Sequence, residues 1–287
     1  TNVAANRVPV ERPERYDREY IKTLGNSWSD SSGVRHRVNM PQLVGTQNPY
    51  VDGSWEDRKK VKDDHWDAFL GLLYFARTDE SEPKDRRKEA SQWGLPNDEF
   101  VENGHRPYEM YTRETRRLEG RYVFTEHDAT FIDDVKRTRI HGDAIAVTEW
   151  FVDIHPCTFE KLPGTLQEGK IMLHQETFPG QIPYRAILPK DIDNLLVPLC
   201  VSSSHVGWST IRLEPTWMNI AEAAAWAVII AARNSVTPAE ITHEALVRKL
   251  ADSRVMISFF NDVDLGSDDT WIPAVAYFAT KGFFEPD

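Results

Sequence analysis

A carboxylate and an imidazole stand two residues apart near the end of a strand-like stretch. Residues 143–156 alternate in polarity and are rich in β-branched and aromatic side chains, which predicts a β-strand. Asp153 and His155 then share one face of that strand. A carboxylate beside a histidine can orient a general base. Both residues could instead bind a metal, although two ligands without a third nearby are weak evidence for one. A purely structural pair at the strand end is the third interpretation.

Three arginines form a second group. Arg113, Arg116 and Arg117 stand at i, i+3 and i+4, so a helical interpretation places them on one face. Guanidinium groups on one face can hold a carboxylate or a phosphate through paired hydrogen bonds. The alternative is internal pairing with the acidic residues of the same stretch, which are Glu109, Glu114 and Glu119.

A third group lies in the stretch 194–233, between two apolar segments. The run 195–201 predicts a buried strand, and a β-rich piece at 208–213 follows it. Pro215 then opens an Ala-rich helix of about five turns. A helix N-terminus carries unpaired N–H groups and a partial positive charge, so it can face an anion or an electron-rich ring. The polar residues in the connection are His205, Arg212 and Glu214. The alternative is that this whole stretch is buried core.

The remaining stretches complete a mixed pattern of helices and strands. The clearest is the amphipathic segment 54–78, in which apolar residues recur at helical spacing behind a capping residue, Ser54, with Asp57 three positions later. Weaker patterns predict helices near 15–24, at 239–251 and in the tail, and strands at 169–178 and 181–190. We therefore expect the α/β (α+β mixed) fold class.

Composition restricts the class of partner. The chain has 287 residues and a net charge of −11, which argues against nucleic acid because phosphate contacts need a basic surface. The longest apolar run, 221–232, is too short for a membrane span and contains Glu222. Cys157 and Cys200 can pair or remain buried free thiols. The nine tryptophans suit carbohydrate stacking as well as a core. The compartment stays open.

Five sequence blocks carry a resemblance to a known family. They are NRVPVERPERYD at 6–17, MYTRETRRLEGRYV at 110–123, WFVDIHP at 150–156, QIPYRAILPK at 181–190, and the stretch from Asn194 that includes SSSHV, IRLEP and Met218. The chain resembles the FAD-dependent oxidoreductase family of xanthan-lyase-like type, with the blocks in the family's order over about two thirds of the sequence.

The resemblance implies FAD as cofactor and hydride transfer between the flavin and a small, carbohydrate-derived substrate. The catalytic residues that it favours are His205, Asp153 and His155. The cofactor-binding residues are Asn194, Ser203, Ser204, Arg212, Glu214, Pro215, Thr216, Asn219 and Ile220, with N–H groups of residues 216–219 stabilising negative charge on the reduced ring. The substrate-binding residues are Tyr111, Arg113, Arg116, Arg117, Tyr184 and Arg185. No resident metal is expected.

The glycine-rich motif that cradles the FAD pyrophosphate is not among the 15 glycines of the chain. We therefore expect an N-terminal FAD-binding chain or segment outside this sequence as a partner. The resemblance then divides the chain into a substrate-side region at 1–190, a strand–loop–helix at 191–235 that completes a Rossmann-like FAD-binding domain, and a helical segment at 236–287.

One departure from the family pattern favours an alternative. Ala221 and Ala225 replace glycines that would let backbone approach a cofactor closely. A flavin-free ligand-binding or scaffold subunit is therefore one alternative function. A carbohydrate-acting lyase that uses Asp153, His155 and the arginine face is another.

Overall fold

The computed structural model describes residues 4–24, 28–29, 37–38, 43–132, 136–148, 150–155, 163–164 and 169–284. The chain forms two compact units, Thr1–Thr112 and Arg113–Asp287, called unit 1 and unit 2 below. The three-part division of the sequence remains a prediction.

Unit 1 is mainly helical. Its elements are α1 (Arg18–Thr23), β1 (Trp28–Ser29), β2 (Arg37–Val38), α2 (Pro49–Asp52), α3 (Trp55–Thr78) and α4 (Lys84–Ala90), with 3-10 turns at Ala4–Asn6 and Val101–Asn103. The predicted helices near 15–24 and at 54–78 are confirmed as α1 and α3.

The long helix α3 begins where the sequence predicts. Ser54 Oγ accepts a hydrogen bond from Asp57 N at 3.2 Å, and an Asp57 carboxylate oxygen accepts one from Ser54 N at 2.9 Å. This reciprocal pair is a capping box, which satisfies backbone donors that a helix start would leave unpaired. Leu72 and Phe75 of α3 pack with Ile21 of α1 in a small core.

Unit 2 combines short strands with longer helices. Its elements are β3 (Ala144–Thr148), β4 (Val152–Ile154), β5 (Ile171–Leu173), β6 (Gly180–Pro183), α5 (His205–Ile211), α6 (Glu214–Asn234), α7 (His243–Asp252) and α8 (Ile272–Ala279), with 3-10 turns at Glu126–Asp128, Tyr184–Ile187 and Pro238–Glu240. The mixed α/β class is therefore confirmed.

The strands of the described residues pair as separate antiparallel ladders. The predicted strand 143–156 is two strands, since β3 pairs with β6 while β4 pairs with β5. The predicted strand 169–178 shrinks to β5, and the one at 181–190 ends at Pro183, where a 3-10 turn begins. These strands are shorter than predicted because each changes partner or direction within a few residues.

The predicted buried strand 195–201 is wrong. The structure gives those residues no strand, and Leu195 and Leu199 are exposed at 43% and 52%. The apolar composition of 195–201 predicts more burial than these residues have. Pro198 also lacks the N–H group that would donate a hydrogen bond to a neighbouring strand. Single backbone bonds occur within the run, such as Val197 N to Ile187 O at 3.0 Å, and an isolated bridge follows it, where Phe124 N donates to Ser202 O at 3.0 Å and Ser204 N donates to Phe124 O at 2.8 Å.

The predicted β-rich piece at 208–213 is also wrong, because it lies mostly in helix α5. Ser204 caps this helix through a hydrogen bond from Gly207 N to its Oγ at 2.9 Å. Gly207 has no room for a side chain, since a Cβ there would lie 2.7 Å from Phe124 O. The local cap and this close approach outweigh the β-propensity of the stretch.

Helix α6 confirms the helix predicted at Pro215, which occupies its first turn. One side of it contributes Ile220, Ala223, Ala227 and Ala231 to the main core. The predicted helix 239–251 begins as a 3-10 turn and continues as α7 from His243, and the helix predicted in the tail is α8.

The expectation of two buried thiols is wrong at Cys200, which is an exposed free cysteine. Cys157 lies outside the described residues. In the part of the chain that the structure describes, no helix has the length and apolar character needed to cross a membrane.

Candidate functional site

The segment that carries the three arginines is not a helix. The predicted common arginine face is therefore wrong, and the side chains engage different partners. Arg113 Nη1 contacts Asp153 Oδ2 at 3.1 Å, whereas Arg117 Nη1 donates to Glu114. Asp153 and the carbonyl of Ser203, which accepts from Arg117 Nε, hold the segment against the rest of unit 2. Internal pairing, the alternative that the sequence left open, is thus confirmed for Arg117 with Glu114.

Asp153 in β4 is the centre of a buried ionic cluster. Its Oδ2 accepts hydrogen bonds from Arg113 and also from Arg212 Nη2 at 2.8 Å. His155 Nε2 lies 3.2 Å from Asp153 Oδ1. Asp153 and Arg212 are only 7% and 4% exposed, so their attraction is weakly screened by water. The structure thus brings together Asp153 and His155, as the sequence predicts, and adds both arginines.

The surroundings set the protonation of this cluster. Burial alone would raise the pKa of Asp153, but Arg113, His155 and Arg212 together hold that pKa below its ordinary value. Burial lowers the pKa of His155, and the positive charge of Arg113 lowers it further, against the opposing effect of Asp153. Asp153 is therefore ionised and His155 neutral near pH 7, so His155 contributes a hydrogen-bond donor rather than a charge.

A second group of contacts surrounds His205. This residue is the first of α5, and its Nδ1 lies 2.6 Å from a carboxylate oxygen of Glu114. Arg117 donates to the same carboxylate oxygen and, through Nε, to the carbonyl of Ser203 at 3.1 Å. The carboxylate of Glu114 thus joins His205 to Arg117, and Arg117 joins both to the backbone of the loop before α5.

Several buried polar atoms in this loop have no hydrogen-bond partner among the residues that the structure describes. They are Ser202 Oγ, Ser203 Oγ and His205 Nε2. An unpaired buried polar atom costs about 1–3 kcal/mol. Three of them within four consecutive residues indicate a place where a ligand or an ordered water completes the hydrogen bonding.

Helix α5 connects the two groups of contacts. Its Trp208 Nε1 donates to Arg113 O at 2.8 Å, and its Ser209 Oγ accepts from Asp153 N at 3.3 Å. Arg212 follows its last residue, whereas His205 is its first. One short helix therefore positions the histidine at one end and the buried ion pair at the other.

Two of these contributors were missed as functional residues by the sequence analysis. Glu114 was considered only as a partner for arginine, and Trp208 only as part of a strand. The position of Glu114 between Arg113 and Arg116 is the sequence feature that could have identified it as a functional residue. Its contact with a histidine 91 positions away carries no local pattern.

The other predicted substrate residues are distributed differently. Tyr184 is 1% exposed, its hydroxyl donates to Pro238 O at 2.9 Å, and burial raises its pKa, so it belongs to the core. Arg185 pairs with Asp143 at 2.9 Å and lies over the ring of Tyr122. Tyr111 belongs to unit 1 and is exposed, and Arg116 is an exposed residue of unit 2.

The predicted cofactor residues other than Ser203, Ser204 and Arg212 lie in the loop before α5 or on α6. Asn194, Glu214 and Pro215 are exposed, Asn219 is half-buried, and Thr216 and Ile220 are buried. Among residues 216–219, the N–H of Trp217 donates to Leu213 O at 3.2 Å. The expectation of free N–H groups along that whole stretch is therefore wrong, because helical hydrogen bonding begins at Trp217.

A buried polar network lies elsewhere in unit 2. Asp128 is fully buried and accepts from Tyr122 Oη at 2.6 Å, while His141 Nε2 lies 3.0 Å from the same carboxylate. Burial and the bond to Asp128 raise the pKa of Tyr122 to about 12. Thr125 N also donates to Asp128 at 2.8 Å. Because hydrogen-bond donors surround this carboxylate, we assign the network to stabilising the folded structure.

Among the residues that the structure describes, no three His, Cys, Asp or Glu side chains come together as a metal-binding group. The full sequence, including the residues outside the described ranges, was compared with known proteins. The family model described as FAD dependent oxidoreductase matches residues 1–250. No curated protein and no solved structure gives a match.

Proposed function

Because the chain belongs to the FAD-dependent oxidoreductase family, whose cofactor is FAD, we propose that it acts in hydride transfer between the flavin and a small, carbohydrate-derived substrate. The observation that carries this proposal is the pairing of His205 with Glu114 beside a loop of unpartnered buried polar atoms. A histidine held by a carboxylate, with no hydrogen-bond partner for its other nitrogen among the described residues, is suited to proton transfer.

The residues present fit one end of FAD. Ser203 Oγ and His205 Nε2 offer buried polar atoms that no described residue satisfies, and a flavin ring or the substrate beside it can complete their hydrogen bonds. When bound, the flavin supplies a two-electron acceptor for hydride. We assign the pyrophosphate to an N-terminal FAD-binding segment or chain, because the glycine motif that would cradle it is not in this sequence.

We assign a different task to each polar group of the site. His205 takes or returns the proton of a substrate hydroxyl at Nε2, while the carboxylate of Glu114 stabilises the imidazolium that forms. Arg113 is the more exposed arginine of the Asp153 cluster, with 28% of its side chain accessible, and it can meet a substrate oxygen. Asp153 and Arg212 are buried, so we assign them to holding β4 and α5 together rather than to contact with substrate.

The aromatic supply of the site supports a carbohydrate-derived substrate. Trp150 stacks with Phe151, and Phe151 stacks with His174 at ring-centroid distances of 4.9 and 3.9 Å. Trp150 and Phe151 lie between β3 and β4, and His174 directly follows β5, which pairs with β4. Aromatic rings suit the C–H surface of a sugar ring, and the outer ring of this stack, His174, is exposed.

An absorption spectrum of the natively purified protein, with its intact mass, tests the function. We expect flavin bands together with a second polypeptide or segment that carries the glycine motif. Small sugars and sugar alcohols should then bleach the bands without oxygen. The H205Q variant should keep the bands and lose the bleaching, while R248Q, a change of an exposed arginine on α7, should behave as wild type. A colourless protein that takes up no FAD with its N-terminal partner present would refute the proposal.

A further inference from the structure

We propose that Glu114 is a positioning residue that fixes the tautomer of His205, leaving Nε2 as a hydrogen-bond acceptor for a substrate hydroxyl. The proposal rests on the proposed function and deepens it, because it names the group that the substrate must present. Glu114 acts through His205, so its effect is on the ring that meets the substrate.

The first step is the geometry of the bond. His205 Nδ1 lies 2.6 Å from Glu114 Oε1, a short distance typical of a charge-assisted hydrogen bond. A carboxylate oxygen only accepts hydrogen bonds, so the proton of the neutral imidazole lies on Nδ1. The opposite tautomer would point the Nδ1 lone pair at a negatively charged oxygen. Nε2 is therefore the unprotonated nitrogen.

The second step is the support of Glu114 itself. Arg117 donates to Glu114 Oε1 through Nη1 and to the Ser203 carbonyl through Nε. A guanidinium is planar, so these two bonds fix Glu114 relative to the loop that begins α5. The side chains of Glu114 and Arg117 are only about a quarter exposed, at 25% and 24%, which restricts their motion.

Two buried polar atoms of the loop are available to a ligand. His205 Nε2 is buried and has no hydrogen-bond partner within the described part of the chain, and the same holds for Ser203 Oγ two residues earlier. An acceptor nitrogen is satisfied by an O–H or N–H donor and by no carboxylate or carbonyl. A serine hydroxyl can donate or accept, so Ser203 Oγ places no restriction of its own on the ligand. His205 Nε2 therefore requires an O–H or N–H donor, and in the proposed hydride transfer from a sugar that donor is a secondary hydroxyl.

Nuclear magnetic resonance of the full chain with 15N-labelled histidine tests the tautomer without any flavin. The H205Q variant identifies the His205 signals among the nine histidines. In the neutral imidazole we expect a protonated Nδ1 and an unprotonated Nε2. E114Q should convert the signals to a mixture of both tautomers, since an amide can accept from Nδ1 or donate to it.

A matched control separates this role from a general effect on the loop. Glu126 lies beside the same loop, 3.4 Å from Ser204 Oγ, and makes no described contact with His205. E126Q should therefore leave the His205 tautomer unchanged. A wild-type signal for protonated Nε2, or an E114Q spectrum identical to wild type, would overturn the proposal.

The assembled flavoprotein gives a second readout. With an alcohol substrate, E114Q should lower kcat by about 10- to 100-fold with little change in KM, because proton transfer rather than binding is impaired. An equal loss in E126Q, or a change in KM alone, would contradict the positioning role. If wild type binds no flavin, the proposed function fails while the tautomer result still stands, so the two failures are distinguishable.

Discussion

Replacing Asp153 by asparagine tests whether the buried ion pair holds unit 2 together. The change removes the negative charge that two arginines share, while the amide keeps a similar shape and one carbonyl acceptor. Arg212 is 4% exposed, so its charge would stay in a weakly hydrated place without this carboxylate. Breaking a buried pair costs about 3–5 kcal/mol. The retained amide oxygen can still accept a hydrogen bond, which offsets about 1 kcal/mol of this cost. We therefore expect a loss of about 2–4 kcal/mol in the free energy of unfolding.

Thermal and urea unfolding measure this loss. A destabilisation of that size corresponds to a Tm lower by about 4–16 °C for a unit of roughly this length. Hydrogen exchange in peptides covering β4 and α5 reports unit 2 separately from unit 1. R113Q is the matched control, because the Arg113 side chain is more accessible, at 28%, and a partly exposed ion pair contributes only about 0–1 kcal/mol.

Lowering the pH should reduce the difference in the free energy of unfolding between D153N and wild type. The pKa of Asp153 is lower in the folded protein than its ordinary value, so the unfolded chain takes up this proton first as the pH falls. The stability from Asp153 is thus complete above the ordinary pKa, near 4, and is lost as the pH falls through the folded value. D153N within about 0.5 kcal/mol of wild type at pH 7, or a constant difference down to acid pH, would refute the reasoning.

Two other changes have defined outcomes. Gly207→Ala places a Cβ 2.7 Å from Phe124 O, so we expect a loss of about 1–3 kcal/mol in urea unfolding. Gly142→Ala, whose nearest neighbour would be 3.7 Å away, is its control, and equal losses in both would contradict the steric reason. Ser54→Ala removes the cap of α3 and should cost about 1 kcal/mol, with faster hydrogen exchange at the start of that helix. Unchanged exchange there would show that Asp57 alone maintains the helix start.

Local patterns predicted the helices better than the strands. The start of α3 follows from Ser54 and Asp57, and that of α6 from Pro215, because caps and first-turn prolines act over a few residues. The run 195–201 was misinterpreted because apolar content alone cannot show whether a segment finds a partner. In the next segment, Ser204 caps the N-terminus by accepting a hydrogen bond from Gly207 N, which stabilises helix α5.

The site depends on contacts that no local pattern contains. Arg113 meets Asp153 across 40 positions, and Glu114 meets His205 across 91. The residue types predict Asp153 as a candidate from its place beside His155, and the family resemblance predicts His205. Their partners depend on the non-helical path of 113–117, whereas the spacing of its arginines predicts a helix.

The position of α6 changes the significance of the departure from the family pattern. The sequence predicts that Ala221 and Ala225 hinder close packing where the family has glycine. Both lie on the exposed side of α6, whereas its buried side is formed by residues such as Ile220 and Ala224. Their methyl groups therefore meet no crowded interior within unit 2, and the two alanines give no argument against the cofactor from packing inside this unit. The residues that bear on flavin binding in unit 2 are then those of α5 and the loop before it, where His205 is already held by Glu114.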